Sequence, residues 1–424
     1  MSTEQKVRQS RIPLRRTMNK NQIPAIEGGT PVRKDFLIFG RPLLFREEIK
    51  EVLETLRSGW WGTGPKTKEF EKKFAEYAHV KYALALSSCT AATELALDVL
   101  GIGPGDEVIT TPLTFVSTAN VVLHRGATVK FADIDLTSWN IDPAQIEQRI
   151  TKKTRAIIPV HLHGRPVDMD NISRMAKKYK LYVIEDAAHA AEAWYKKKKI
   201  GSISDFTAFS FYATKNVATG EGGMLTTNNK EWFDTAAVRA LHGLSADAWK
   251  RYSASGFKPY EAVYPGYKIN MTDMQASLGL PQLRSVEKNL QARDKIWIRY
   301  QRAFSKLQGI STPTPDEAGT VHARHLYALV LDPQQFKITR NQFVAALQKE
   351  GIGAGVHFIP VHLQEYYRKT FGYKVGDFPN AERIGLNIFS LPIYPTMNQK
   401  DINDVIKAVK KLVVYYRRRH SSHS

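Results

Sequence analysis

Apolar residues fall at helical spacing twice near the start of the chain. Phe45–Arg57 carries Phe45, Ile49, Leu53 and Leu56 along one face, and Thr67–Tyr77 repeats the pattern with Phe70, Phe74 and Tyr77. Ala91–Leu100 reads as a third helix, opening just after Ser-Ser-Cys-Thr. Short β-rich runs follow at Glu107–Thr110, Thr128–Phe131, Ala156–Val160, Tyr182–Glu185, Phe206–Ser210 and Met224–Thr227. Between several of them lie helical runs such as Met169–Tyr179. This alternation predicts a parallel or mostly parallel sheet flanked by helices.

After Gln282 the pattern changes. A long charged helix is expected from about Leu283 to Leu307, then a turn marked by Pro313 and Pro315. A strand at His325–Leu331, a helix at Arg340–Glu350 and a closing helix at Lys400–Tyr415 complete the chain. The expected organisation is a large α/β domain over residues 35–282 and a smaller C-terminal α+β domain over 283–416. Basic tails are expected at 1–34 and 417–424. A length of 424 residues suits two domains. The longest apolar stretch, Tyr82–Gly103, is broken by Glu94 and Asp98, so no membrane span is expected.

The net charge of +20 is the unusual quantity. Such an excess can serve nucleic acid, anionic lipid or an anionic small substrate. Its distribution narrows the choice. Residues 1–34 and 405–424 each carry +6, so the 370 residues between them hold only +8. Solvated ends explain most of the excess, and a nucleic-acid partner is not expected. The single cysteine, Cys89, cannot form a disulfide within the chain, which fits a reducing, cytoplasmic compartment.

Familiar phosphate motifs fail. Gly62-Thr-Gly64-Pro-Lys66-Thr67 lacks the glycine that a P-loop needs before its lysine, and Gly351-Ile-Gly353-Ala-Gly355 is not a dinucleotide fingerprint. The pairs His161/His163 and His322/His325 are compatible with metal binding, but no metal is predicted from isolated pairs. Three other segments form a better constellation. Ile184-Glu185-Asp186-Ala187-Ala188-His189 puts a carboxylate at the C-terminal end of a β-run, where α/β sheets bind ligands. Ser210 precedes Lys215 by five positions, and Gly220-Glu221-Gly222-Gly223 follows. Ser87-Ser88-Cys89-Thr90-Ala91 opens a helix, and helix N-termini bind phosphate. Taken singly, each has an ordinary structural explanation: an N-cap for Asp186, a surface lysine before a hairpin, a plain helix start. Together they supply what pyridoxal 5'-phosphate requires: a lysine for its aldehyde, a carboxylate for its ring nitrogen and a phosphate cup. Phe115, in Thr114-Phe115-Val116, is the candidate ring to stack on the cofactor.

With Ser58-Gly-Trp-Trp61-Gly-Thr-Gly-Pro65, Ser88–Ala92, Pro112–Val116, Glu185–His189, Phe209–Asn216, Gly220–Gly223, Gly266–Asn270, Gln275-Ala276 and His357-Phe358 in this order, the chain resembles the DegT/DnrJ/EryC1/StrS sugar aminotransferases. These are fold type I pyridoxal phosphate enzymes, with a large α/β/α domain and a smaller α+β domain. The resemblance covers roughly residues 25–415. It is strongest with the branch that makes 4-amino sugars on UDP, such as UDP-4-amino-4-deoxy-L-arabinose aminotransferase.

The resemblance implies roles. Lys215 holds the cofactor aldehyde and shuttles the proton. Asp186 pairs with the ring nitrogen, His189 lies near the 3-oxygen, and Phe115 stacks. Cys89, Thr90, Ala91 and Ser210 form the phosphate site. Lys268 or Asn270 reaches the phosphate of a neighbouring subunit, which requires a homodimer with shared active sites. Trp61 and His357 are sugar-side candidates. Many members have Gln at the His189 position and Asn at the Lys268 position. Relatives with His in place of the lysine are dehydratases; Lys215 argues against that activity. The implied reaction moves an amino group from glutamate to a nucleotide-linked 4-keto sugar, with a 3-keto sugar or an inosose as the alternative acceptor. A regulatory protein on the same fold is the alternative from another class.

Overall fold

The β-runs read from the sequence assemble into one twisted sheet because each alternates its apolar side chains between two helical layers. The computed structural model describes residues 19–244 and 261–418. Two helices, α1 (Arg46–Ser58) and α2 (Pro65–Tyr77), precede β1 (Tyr82–Leu86) and α3 (Cys89–Val99). There follow β2 (Glu107–Thr110), α4 (Ser117–His124), β3 (Thr128–Phe131), α5 (Pro143–Glu147), β4 (Thr154–Ile158), α6 (Met169–Tyr179) and β5 (Tyr182–Asp186). A small ribbon, β6 (Trp194–Tyr195) with β7 (Lys198–Lys199), leads to β8 (Phe206–Ser210), β9 (Gly223–Thr227) and α7 (Lys230–Arg239).

The large sheet has seven strands in the order β1-β9-β8-β5-β4-β2-β3. Strands β8, β5, β4, β2 and β3 run parallel, and β9 lies antiparallel between β1 and β8. On β1, Leu84 and Leu86 enter one core and Ala83 and Ala85 the other, so the two faces are buried separately. The strand and crossover-helix expectations from Glu107 to Thr227 hold to within about two residues.

The C-terminal part contains α8 (Asp273–Phe304), β10 (Ile310–Ser311), β11 (Tyr327–Leu331), α9 (Arg340–Lys349), α10 (Glu365–Phe371), α11 (Pro379–Gly385), β12 (Ile388–Leu391) and α12 (Gln399–Tyr416). Strands β10, β11 and β12 form an antiparallel sheet over a third core that includes Tyr300, Phe304, Phe343 and Leu412.

Two boundaries differ from expectation. The division at 282/283 falls inside α8, which begins ten residues before the predicted start at Leu283 and runs through Pro281. Tertiary packing overrides the proline. Gly279 lies against Phe70, where a Cβ would meet the ring at 2.7 Å, and Asp273 accepts hydrogen bonds from the backbone of Gly64, Lys66 and Thr67. The tail expected at 1–34 is also too long. Glu350, fully buried, accepts from the backbone N–H of Ala25 and Val32 and from Lys411, while Arg33 pairs with Asp401 and Asp404. Residues 19–34 therefore belong to the small domain. Residues 1–18 and 419–424, where the other tail expectations fall, lie outside the described residues. At the other end, Arg417 donates to Gln308 and Arg418 to Phe336, so both are tied to the domain.

Candidate active site

Parallel strands end with unsatisfied backbone and free side chains at one edge of the sheet, and the chain places its candidate chemistry there. Asp186 is the last residue of β5, and Ser210 the last of β8. Thr114 and Phe115 follow β2, and Ser88 and Cys89 open α3 beside them. Together with Thr90, Thr118, His189, Lys215, His325, His357 and Phe358 they line one cavity of about 370 Å³.

Asp186 is buried, and its two carboxylate oxygens are held separately. Thr118 Oγ1 donates to Oδ2 at 2.8 Å, and the Ala188 N–H donates to Oδ1 at 3.1 Å. The helix N-cap alternative for Asp186 is not realised, because a turn follows β5 rather than a helix. Burial pushes the Lys215 amine down to about 8, against the opposing pull of Cys89 and Asp186. The lysine is thus neutral far more often near neutral pH than an ordinary lysine, although the charged form still predominates, and that favours a nucleophilic or proton-moving amine.

His189 is fixed in one tautomer. The His163 N–H donates to its Nδ1 at 3.2 Å, so the ring proton resides on Nε2. Burial, reinforced by the charge of Lys215, holds His189 well below the ordinary histidine range. His163 and His357 are pushed by burial to about 4 and about 3. The His163 ring donates through Nε2 to the His357 carbonyl at 2.9 Å, and His357 Nδ1 meets Ser390 Oγ at 3.0 Å. His189 stacks on Phe358 with centroids 5.9 Å apart. The cavity wall is therefore rich in imidazoles that carry no charge at neutral pH.

The phosphate-cup expectation rests on α3. Ser88 is its N-cap and accepts from the Ala91 N–H at 3.0 Å. That amide is therefore occupied within the helix, and Ala91 does not line the cavity. Cys89 and Thr90 do line it, and burial with the nearby Asp186 carboxylate pushes the Cys89 thiol well above its usual range. Gly223 lets β9 pass against this turn, since a Cβ there would lie 2.3 Å from the Ser88 carbonyl carbon.

Besides Ala91, three sequence candidates stand outside the cavity wall. Trp61 is 58% exposed and donates to the Leu56 carbonyl at 3.2 Å. Lys268 Nζ donates to Asn270 Oδ1 at 2.6 Å, and Asn270 donates to Thr63. Conversely, the sequence reading missed Thr118, His163 and His325 as parts of the site. Thr118 lies 68 positions from the carboxylate it holds, and no local pattern links the two. His161, weighed as a metal ligand, instead pairs with buried Glu185 at 2.8 Å. His163 serves the site through its backbone and ring, as above.

The geometry fits pyridoxal phosphate. A buried carboxylate, a partly neutral lysine, an Nε2–H donor and a helix opening are presented to one cavity. Comparison with known proteins agrees. The model of the DegT/DnrJ/EryC1/StrS aminotransferase family matches residues 43–410. The Bacillus subtilis spore coat polysaccharide biosynthesis protein SpsC is 52% identical over 382 residues, covering 90% of this chain and 98% of SpsC. An uncharacterized protein of Methanocaldococcus jannaschii is equally similar, at 52% over 382 residues, with 90% and 99% covered. Among solved structures, Spr1654 of Streptococcus pneumoniae, assigned as a sugar aminotransferase, superposes in its PLP form with a TM-score of 0.82. It is 35% identical over 90% of this chain and 99% of its own. Helicobacter pylori PseC, an aminotransferase involved in the biosynthesis of pseudoaminic acid, gives a TM-score of 0.83 at 29% identity, covering 90% and 100%.

Proposed function

The chain belongs to the DegT/DnrJ/EryC1/StrS aminotransferase family and is a pyridoxal phosphate-dependent sugar aminotransferase, and from that premise we propose that it transfers an amino group from glutamate to a nucleotide-linked 4-keto sugar, with UDP as the carrier. The product is an amino sugar for a cell-surface polysaccharide or a related glycoconjugate. The similarity to SpsC supports that setting, and the absence of any long apolar helix among the described residues is compatible with a cytoplasmic enzyme. The observation that carries the reading is the shared cavity of Lys215 and Asp186 at the C-terminal edge of the parallel strands.

The bound cofactor supplies an aldehyde for amines and a ring that accepts electrons. The chain supplies the rest. The Asp186 carboxylate, held by Thr118 and the Ala188 amide, would pair with the ring nitrogen and keep it protonated. His189 would donate from Nε2 to the 3-oxygen, and Phe115 would cover the ring. Cys89, Thr90 and Ser210, with the α3 N-terminus, take the phosphate. Lys215 would hold the cofactor through its aldehyde, and its partly neutral amine would move the proton at the substrate carbon. His357 lies toward the sugar. Lys268 or Asn270 serves the phosphate of a second copy in a homodimer, which accounts for their position outside this chain's own cavity; Trp61 is assigned the same way, to the sugar side across the interface.

The test is an amino-transfer assay with glutamate against UDP- and dTDP-linked keto sugars, with products identified by mass. Amination of a UDP-4-keto sugar is expected. Exclusive amination of a 3-keto sugar or an inosose would contradict the assignment.

A further inference from the structure

His325 lines the cavity but has no part in the assignments above. Its ring centroid lies 4.5 Å from that of His189. Nδ1 of His325 meets Asn216 Oδ1 at 3.0 Å. The amide nitrogen of Asn216 donates to Glu192 Oε2 at 2.8 Å and to the Ala323 carbonyl at 3.1 Å. Both of those partners can only accept, so the amide orientation is forced and its oxygen must face His325. His325 is then the donor, with its proton on Nδ1. Glu192 is itself fully buried and anchored by buried Arg293, which reaches across from α8. The chain Arg293–Glu192–Asn216–His325 thus ends in a bare Nε2. Among the described residues that nitrogen has no hydrogen-bond partner, while burial and the charge of Lys215 keep the ring well below the usual histidine range and so unprotonated.

The two neighbouring imidazoles are therefore opposite tautomers. His189 offers an N–H and His325 a lone pair. Nε2 of His325 is not one of the buried unpaired atoms and His325 lines the cavity, so the lone pair is open to it. A ligand that fills the cavity desolvates that acceptor and must supply a donor to avoid the cost. The donors a sugar brings are hydroxyl groups.

We propose that His325 is a specificity-determining residue whose Nε2 accepts a hydrogen bond from a hydroxyl of the sugar substrate, and that Asn216 and Glu192 are positioning residues that lock its tautomer. The inference rests on the sugar aminotransferase reading and deepens it. Asn216 is the residue next to Lys215, so one segment carries the reactive amine and the support of the sugar contact. A site built to bind a hydroxyl discriminates strongly against substrates that lack it.

The test has two arms. In the first, apoprotein labelled with ¹⁵N-histidine is examined by NMR, with His325 identified by its loss in His325→Gln. A protonated Nδ1 and bare Nε2 are expected in the wild type, and loss of that state in Asn216→Leu. A proton on Nε2 in the wild type would overturn the proposal. In the second, amino uptake from glutamate and amino delivery to a UDP-4-keto sugar are timed separately in single turnovers. Asn216→Leu is expected to slow delivery roughly ten- to a hundredfold more than uptake. The exchanged pair Asn216→Asp with Glu192→Gln preserves the acceptor facing His325 and should restore most of the delivery rate. Equal slowing of both halves, or no rescue by the exchanged pair, would overturn it. Failure to react with glutamate at all would strike the functional reading instead, and the ring-nitrogen result would still decide the tautomer lock.

Discussion

The floor of the cavity and its mouth are built on opposite rules. On the floor Asp186 and His189 are buried, with His163 and Glu185 buried outside the cavity lining, and each is hydrogen-bonded to a named partner. At the mouth and beyond it, Phe115, Tyr212, Trp60 and Trp61 are about half exposed or more. Phe115 tilts against Phe358 and Trp61 reaches the Leu56 carbonyl, yet most of each ring stays open. The contrast separates what one chain completes by itself from what it leaves open. The buried polar groups of the floor are paired within one chain, because a buried polar group left unpaired is costly. Groups assigned to contacts with a second copy, Trp61 among them, are left at the surface of this chain.

The sharpest way to break the comparison is to remove a floor residue. Lys215→Ala should abolish turnover, by at least about 10⁴-fold if the lysine both binds the aldehyde and moves the proton. The visible absorbance of the loaded enzyme should vanish with it. Asp186→Asn comes next. It should slow turnover by about a hundredfold or more, as expected when one member of a buried charge pair is removed. Thr118→Val, which deletes one hydrogen bond to that carboxylate, should cost about 1 kcal/mol, or roughly five- to tenfold in kcat/KM. At the mouth, Trp61→Ala should change the thermal stability of the chain by no more than about 0.5 kcal/mol, read by denaturation. A large loss for Trp61→Ala in dilute monomer would erase the distinction.

Two pH responses sharpen it further. Lys215 is lowered in the folded state to about 8, whereas an unfolded lysine titrates near 10.4. Between those values the unfolded chain binds more protons, so this group's contribution to apoprotein stability becomes more favourable as pH rises from about 8 to 10.4. A denaturation series should show that slope in the wild type and lack it in Lys215→Met. The histidines act at the other end. His163 and His357 stay neutral in the fold down to about 4 and about 3, while unfolded histidine protonates near 6.5. Stability should fall as pH drops from about 6.5 toward 3, and His357→Gln should flatten part of that fall.

Much of this was legible in the sequence, for physical reasons. Strands β2, β3 and β8 carry local period and bounded apolar runs, and their ends match expectation to the residue. Lys215, Asp186 and His189 stand out because cofactor chemistry needs those residue types at strand ends. What escaped depends on contacts distant in sequence. The early start of α8 rests on Gly279 meeting Phe70, and the docking of residues 19–34 rests on Glu350. A segment rich in Arg and Lys looks like a tail until its buried acidic partner is known. Thr118 and His325 escaped for the same reason, since their partners, Asp186 and Asn216, lie 68 and 109 positions away. Trp61 shows the converse, a residue with a family motif around it that this chain alone leaves at the surface.

The central claim is that Lys215, in the cavity it shares with Asp186, takes the cofactor. Borohydride reduction of the protein loaded with pyridoxal phosphate, followed by peptide mapping by mass, tests it directly. A single phosphopyridoxyl adduct on Lys215 is the result expected. No adduct, or an adduct on another lysine with Lys215 unmodified, would contradict the account.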